Sequence, residues 1–387
     1  TARDINRRII LNVIRLRQPL SRADVARLTG LQRSTVSLIA DQLIEEGWIV
    51  EGAYGRLPRG RRPIYLQLNT DKARIIGINV RPTQTTIAVA DLNGEFLGQE
   101  QFPTDPDPKE FIKILTQRVK AVIKRYPNAT FEGIGVSLPG RVNTDTHKLT
   151  VAPNIGWRDV DLKTTLEKAT KLPVEVENAA NACALAENYF GKHAEEVDNL
   201  IAVTVAEGIG TGIITNGMLM RGTAGMAGEF GHVALDPNGP PCKCGNKGCW
   251  ETLASNTAAI RDYIQAVTGG TNGRRRRPKV TFEDILRLAA EGDKTAGKVL
   301  DNMAKHLGEG LAMLITGFAP SLVVVVGEVT RAWDRVGPII QKVVDERCRN
   351  LGYTETRIIP GDEAAQPRLQ GTIALVLEKY FGAPEVA

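Results

Sequence analysis

Long apolar runs are absent from the 387-residue sequence, and aromatic residues make up only 5% of it. No stretch reaches the about 18 apolar residues of a membrane-spanning helix, so the sequence predicts no such helix. The opening segment is Arg-rich but lacks a small-residue cleavage site, and we do not interpret it as a signal peptide. Cysteine is also scarce. Three of the five cysteines lie within residues 242–249, which argues against a secreted disulfide framework and favours a metal site in a reducing cytoplasm.

Lysine is missing from the first 70 residues, where 12 arginines and six acidic residues give a net charge of +6. The rest of the chain has 37 basic and 38 acidic residues, a net charge of −1. The excess positive charge therefore belongs to one small segment. An Arg-only module on a near-neutral body is typical of a nucleic-acid-binding head.

The spacing of apolar residues in this head predicts a winged helix-turn-helix over residues 1–70. A first helix is expected over residues 5–16. Ser21 and Asp24 then form a capping-box pattern for a second helix, and a third is expected from about Gln32 to Glu46. Two short helices joined by a tight turn form a helix-turn-helix, although a three-helix protein-interaction module has the same pattern.

In a helix-turn-helix the second helix of the motif enters the major groove, and its first residues reach the base edges. The candidates here are all hydrogen-bond formers, and none is acidic: Gln32, Arg33, Ser34, Thr35 and Ser37. Two short predicted strands then flank a Gly/Pro/Arg loop, which would form the wing. Its arginines are Arg56, Arg59, Arg61 and Arg62. The run at residues 58–63 resembles an AT-hook that enters a narrow minor groove, but a flexible basic loop touching only phosphates is the alternative.

The body of the chain reads as an α/β fold. Three predicted strands followed by alternating helices and strands occur twice, which indicates a duplicated pair of lobes. We expect the first lobe over residues 71–190, completed by a C-terminal helix at 371–387, and the second over residues 191–370.

Four candidate metal ligands lie in the second lobe, with the spacing H-x9-C-x-C-x4-C: His232, Cys242, Cys244 and Cys249. One imidazole and three thiolates are the ligand set of a closed tetrahedral zinc site. The sequence therefore predicts Zn²⁺ in a structural role, because such a site leaves no position open for catalysis.

The block Gly228–His232, followed by Cys242 to Glu251, resembles the ROK family of repressors and sugar kinases. This resemblance implies an actin-like (ribonuclease H-like) two-lobed sugar-kinase fold behind the winged helix-turn-helix. It also implies sugar contacts from Asn154, Asn178, Glu229, His232 and Glu251, with Gly140 beside the sugar. The alternative is that these polar residues only brace their loops.

Compared with kinases of this family, the phosphotransfer residues are altered. The catalytic Asp that follows the Asn of Glu-Asn-Asp is replaced by Ala179, and a methyl group cannot accept a proton. The first phosphate loop reads Asn-Val-Arg-Pro-Thr at residues 79–83 instead of Asp-x-Gly-Gly-Thr. Glu207 precedes the glycines of the second loop, and a single Gly327 remains of the adenine-side pair. We expect no enzymatic activity.

The sequence thus predicts a sugar-responsive transcriptional repressor of carbohydrate-utilisation genes. Its expected partners are double-stranded operator DNA, a xylose, glucose or amino-sugar ligand, and further copies of itself in a homodimer or homotetramer. Two alternatives stay open: an active sugar kinase that also binds DNA, and a repressor gated by a transporter protein. The basic segment at residues 272–279 is interpreted as a solvated loop.

Overall fold

The computed structural model describes residues 2–54, 63–71, 73–194, 197–269, 279–349 and 356–381. By their contacts the residues form two units. The first comprises Thr1–Val142, Thr146–Glu177 and Leu369–Ala387, and the second comprises Asn143–Asp145 and Asn178–Arg368. The N-terminal head and the predicted first lobe thus share one unit.

The head is a winged helix-turn-helix, as predicted. Its elements are α1 (Ala2–Arg17), β1 (Leu20–Ser21), α2 (Arg22–Thr29), α3 (Arg33–Glu45), β2 (Ile49–Tyr54) and β3 (Ile64–Leu68). The strands form one antiparallel sheet in the order β1-β3-β2. Buried side chains of all three helices, among them Ile14, Val25 and Leu43, form the core of this module.

The rest of the first unit is built on a five-stranded sheet in the order β11-β7-β4-β5-β6. Its elements in chain order are β4 (Ala73–Val80), β5 (Gln84–Ala90), β6 (Phe96–Pro103), α4 (Pro108–Arg125), β7 (Thr130–Leu138), β8 (Arg141–Val142), β9 (Leu149–Ala152), β10 (Trp157–Val160), α5 (Leu162–Thr170) and β11 (Val174–Asn178). The short strands β8 to β10 form a separate sheet that the sequence pattern did not predict.

The second unit contains a sheet of the same design, in the order β14-β13-β12-β15-β16. Its elements are α6 (Ala179–Phe190), β12 (Leu200–Val205), β13 (Ile209–Thr215), β14 (Met218–Leu219), α7 (Trp250–Ala254), α8 (Asn256–Thr268), α9 (Phe282–Ala290), α10 (Lys294–Phe318), β15 (Leu322–Val326), α11 (Trp333–Cys348) and β16 (Arg357–Pro360). In each sheet three antiparallel strands are followed by a strand that pairs in parallel with the first of them, β7 with β4 and β15 with β12, which agrees with the predicted duplication.

Helix α6 belongs to the second unit, whereas the sequence analysis assigned residues up to 190 to the first lobe. The reason is its close packing on β13. A Cβ on Gly210 would lie 2.9 Å from the Cβ of Ala180, and one on Gly212 would overlap the carbonyl oxygen of the same residue. Only glycine lets the helix and strand approach so closely.

The last helix, α12 (Pro367–Phe381), covers the sheet of the first unit. Thr372 is fully buried, and a Cβ added to Gly77 or Gly135 would collide with it. These two glycines of β4 and β7 therefore form the groove in which α12 lies. None of the described helices is long and apolar enough to cross a membrane.

Candidate functional site

Helix α2 of the head begins with the predicted capping box. The amide of Asp24 donates to Ser21 Oγ at 3.2 Å, and the amide of Ser21 donates to Asp24 Oδ2 at 3.1 Å. The hydrogen bond from the Ser21 hydroxyl, more than any other contact, holds the pKa of Asp24 below its ordinary value. Gly30, at φ 71°, ends the helix in the left-handed conformation and sets the turn into α3.

Helix α3 presents its first residues to solvent. Gln32, Arg33 and Ser34 are exposed, while Thr35 and Ser37 are half-buried. Gln32 occupies the N-cap position, but its side chain makes no capping hydrogen bond. No acidic residue lies in the first turn, so the positive end of the helix dipole remains directed outward. This arrangement suits contact with phosphates and base edges.

The predicted wing arginines Arg56, Arg59, Arg61 and Arg62 lie outside the described residues, as do residues 272–278 of the second basic segment. The two strands that flank the wing are present: β2 pairs with β3 in antiparallel register, from Ile49 opposite Leu68 to Tyr54 opposite Ile64. The DNA-contacting role of the wing stays a prediction.

The four predicted metal ligands come together in the second unit. The ligand atoms of His232, Cys242, Cys244 and Cys249 all lie within 4.8 Å of one another. Cys242 Sγ is 3.5 Å from His232 Nδ1, and Cys244 Sγ is 3.6 Å from Cys249 Sγ. A tetrahedral zinc with bonds of about 2.3 Å to sulfur and about 2.0 Å to nitrogen requires ligand separations of about 3.4–3.8 Å. These two separations match that geometry, so the quartet could hold a metal ion.

Backbone packing forces the curl of the loop that carries the three cysteines. Gly248 has φ 59°, and a Cβ there would overlap the carbonyl oxygen of Asp236. On the histidine side, Cβ atoms at Gly228 and Gly231 would overlap carbonyl oxygens of Thr211 and Ile209 on β13. These three glycines let the histidine segment and the cysteine loop pack closely on neighbouring backbone. The Thr211 hydroxyl also donates a hydrogen bond to the Gly228 carbonyl at 2.6 Å.

Two predicted sugar contacts flank His232. Glu229 Oε2 lies 3.8 Å from Nε2 of the ring, on the side away from the thiols. Glu251 instead lies beside the metal ligands: its Oε1 is 3.5 Å from His232 Nδ1 and 3.1 Å from Cys242 Sγ. The family resemblance implied that both carboxylates contact sugar, and the sequence placed Glu251 two residues after Cys249 but did not predict its contact with Cys242.

Asn178 and Asn154 lie in different units. Asn178 is the N-cap of α6, and its Oδ1 accepts a hydrogen bond from the Ala180 amide at 2.7 Å, which fixes the orientation of its side chain. Ala179 is the first residue of the helix, at the position predicted to have lost the catalytic Asp. Asn154 is exposed in the turn between β9 and β10.

The glycines of the second phosphate loop all make structural contacts. Gly210 and Gly212 lack the Cβ atoms that would collide with α6, and a Cβ on Gly208 would lie 2.6 Å from Glu251 Oε2. Of the adenine-side pair, Gly327 is constrained by the carbonyl of Val205, and Glu328 accepts a hydrogen bond from Asn256 Nδ2 at 3.0 Å. Backbone packing therefore accounts for Gly212 and Gly327, whereas the neighbour of Gly208 is the end of a flexible side chain.

The first phosphate loop is a tight hairpin turn between β4 and β5. The amide of Arg81 donates to the Gln84 carbonyl at 3.0 Å, and the Arg81 carbonyl accepts from Thr104 Oγ1 at 2.8 Å. Pro82 has no N–H. Asn79, in place of the kinase Asp, is buried and accepts from the Ser137 hydroxyl at 2.9 Å. Within this turn, the Arg81 amide is therefore already hydrogen-bonded and Pro82 offers no donor.

Comparison with known proteins gives consistent relationships over the whole chain. Residues 75–379 match the ROK family, and residues 9–52 match the IclR helix-turn-helix domain. The chain is 31% identical over 380 residues to the xylose repressor of Bacillus subtilis strain 168, covering 97% of this chain and 96% of that protein. It is 31% identical over 360 residues to the N-acetylglucosamine repressor of Escherichia coli O157:H7, covering 92% and 88% of the two chains. A crystal structure of a ROK family transcriptional regulator, a homolog of the E. coli MLC protein, superposes with a TM-score of 0.84 at 27% identity and covers 98% of both chains.

Proposed function

Because the chain belongs to the ROK family, we propose that it is a sugar-responsive DNA-binding repressor whose kinase-like body senses sugar without phosphorylating it. The observation that carries the proposal is the winged helix-turn-helix fused to a body in which Ala179 follows the capping Asn178. The relatives described above, a xylose repressor and an N-acetylglucosamine repressor, support the same function.

We propose operator DNA as the partner of the head. Gln32, Arg33 and Ser34 would read base edges in the major groove, with Thr35 and Ser37 beside them. The wing arginines would enter the minor groove or contact phosphates. Since two-fold related heads match two half-sites, we propose a homodimer or homotetramer as the binding form, acting in the cytoplasm, where thiols stay reduced.

The sugar site that we propose includes Asn178, Glu229, His232 and Glu251, all in the second unit. Asn154, in the first unit, stays a predicted sugar contact. Carboxylates and fixed amides suit sugar hydroxyls because they accept and donate hydrogen bonds in defined directions. Bound Zn²⁺ would be held by His232 Nδ1 and three thiolates, and it would hold the loop in shape. The other ring nitrogen of His232 then faces Glu229 and is oriented for a ligand hydroxyl.

Phosphoryl transfer requires a base, a metal-positioning carboxylate and backbone N–H groups for the phosphates. We propose that this chain has lost all three. Ala179 cannot act as the base. Asn79 has an amide where the kinases have a carboxylate, and its Oδ1 accepts from the Ser137 hydroxyl. In the turn at residues 81–84, the Arg81 amide is bonded to the Gln84 carbonyl and Pro82 has no N–H. Loss of a general base alone lowers a rate by about 10²–10⁴.

The test uses the full-length protein and a DNA duplex selected from a randomised pool. Binding of that duplex that changes when xylose, glucose or N-acetylglucosamine is added supports the proposal. ATP consumption dependent on one of these sugars would support the kinase alternative instead. DNA binding that ignores every free sugar would favour gating by a partner protein.

A further inference from the structure

Leu38 is the most exposed of the large apolar side chains in the described part of the chain, at 60% exposure. Of the other large apolar residues of α3, Val36, Ile39 and Leu43 are buried and Ile44 is half-buried. An exposed leucine on this helix thus has no packing role within the head. Scattered surface leucines are ordinary, so its position on the helix decides its significance.

That position is on the face proposed to read DNA. Leu38 lies four residues after Ser34, so the two side chains share a face of α3 about 6 Å apart along the axis, which corresponds to about two base-pair steps. One turn further on, Asp41 makes an ion pair within the head: its carboxylate lies 2.7 Å from the Arg22 guanidinium, which also pairs with Glu51 at 2.9 Å. Leu38 therefore separates the polar first turn of α3 from its acidic end.

The floor of the major groove carries one strongly apolar group, the C5-methyl of thymine. Resting on the function proposed above, we infer that Leu38 is a specificity-determining residue that contacts a thymine methyl in each half-site. The neighbouring side chains fit this assignment, because Arg33 supplies positive charge at the helix start while Leu38 supplies the only large apolar surface on this exposed face. Removing either the leucine or the methyl breaks the same contact.

The test is a double-mutant cycle between protein and DNA. A duplex is selected from a randomised pool with the wild-type protein, and each of its thymines is replaced in turn by deoxyuridine, which keeps the base pair and removes the methyl. Affinities of wild type, Leu38→Ala and Leu28→Ala are measured by fluorescence anisotropy at one salt concentration. Leu28 is the matched control, since it is an exposed leucine of the head, 42% exposed, on α2.

We expect wild type and Leu28→Ala to lose about fourfold in affinity at one or more deoxyuridine positions per half-site, the effect of about one buried methyl. Leu38→Ala should show no further loss there. An equal deoxyuridine effect in Leu38→Ala and wild type, or no sensitive thymine at all, would overturn the inference while leaving the repressor function intact. A changed oligomeric state of Leu38→Ala in sedimentation, with unchanged base preference, would assign the leucine to a copy of the chain and also overturn it. If no duplex can be selected at low salt, the proposed function itself is wrong.

Discussion

The indole ring of Trp48 lies against the phenol ring of Tyr380, with the ring centroids 4.4 Å apart. Trp48 directly follows the turn that ends α3, and Tyr380 is near the end of α12. Phe381 adds an edge-on contact with the same indole at 6.2 Å, and the Arg15 guanidinium lies 5.8 Å from the Phe381 ring. Helix α12 therefore supports the DNA-binding head from within the first unit.

Trp48→Ala should destabilise the head, because Trp48 is only 6% exposed and its ring fills the contact with α12. Truncating a buried tryptophan costs about 3–5 kcal/mol. Urea unfolding followed by circular dichroism measures the loss. Tyr380→Phe is the control: it keeps the ring and removes the hydroxyl that donates to the Glu132 carbonyl at 3.3 Å, so it should cost about 1 kcal/mol. Equal unfolding midpoints for Trp48→Ala and wild type would show that the aromatic contact contributes nothing.

Gly135→Ala should impair the first unit severely, because the new Cβ would overlap backbone of Thr372 and push α12 off the sheet. Backbone cannot move aside as a flexible side chain does, so we expect a loss of at least about 3 kcal/mol. Gly317→Ala in α10 is the matched control, since a Cβ there meets nothing within 4 Å and alanine favours a helix by about 1 kcal/mol. A soluble Gly135→Ala protein with the melting temperature of wild type would contradict the close packing of α12 on Gly135.

Cys244→Ser should abolish zinc binding, because three ligands hold the ion far less well than four. Elemental analysis should find one zinc per chain in wild type and none in the variant, and the melting temperature should fall by about 5–10 °C. Cys348→Ala, which removes a buried thiol of α11 outside the cluster, should keep its zinc. Wild-type protein purified without any zinc would refute the site.

Glu251→Gln should remove the response of DNA binding to sugar while DNA affinity without sugar stays within about twofold. The amide keeps the size of the side chain but loses the negative charge that accepts hydrogen bonds from sugar hydroxyls. Because Glu251 also lies 3.1 Å from Cys242 Sγ, zinc content is measured alongside. Glu291→Gln, an exposed carboxylate on the surface after α9, is the control and should respond as wild type does. A full sugar response in Glu251→Gln at normal zinc content would exclude the residue from the sugar site.

The capping box of α2 should make the stability of the head depend on pH at the acid end. The folded state holds the pKa of Asp24 below its ordinary value of 3.8, so the stabilisation is fully present above that value and is lost as pH falls through the lower, folded pKa. Asp24→Ala should therefore cost about 0.5–1 kcal/mol at pH 7 and less at the acid limit, where Asp24 is protonated in both states. Urea midpoints of wild type and variant at several pH values measure this difference. A cost that does not vary with pH would mean that the charge of Asp24 plays no part in the cap.

Much of this architecture was predictable because it follows from local rules. The Ser21–Asp24 box, the helix Pro108–Arg125 and the repeated strand pattern depend on neighbours in sequence. The spacing of His232 and the three cysteines predicted that these four side chains lie together. The sheet β8–β10 was missed because strands of two to four residues are too short for an alternating pattern to be recognised. The position of Glu251 beside Cys242 was missed because the turn of α7 depends on how Trp250 is buried.

The contact between Trp48 and Tyr380 joins residues at opposite ends of the sequence, and no periodicity records such a pairing. The same holds for the glycines at 208, 210 and 212. As a motif they indicate a phosphate loop, yet their partners in space are Glu251 and α6. A glycine in the sequence shows where another group can approach the backbone closely, but only the structure shows which group does so.

The dependence of the first unit on α12 has a consequence for synthesis of the protein. The groove at Gly77 and Gly135 is translated early, whereas the helix that fills it follows some 230 residues later. At about 5–20 residues per second, the ribosome leaves that apolar groove open for roughly 10–50 s. During this interval Trp48 of the head also lacks its contact with α12, so the nascent chain is open to proteases and aggregation at both places until that helix emerges.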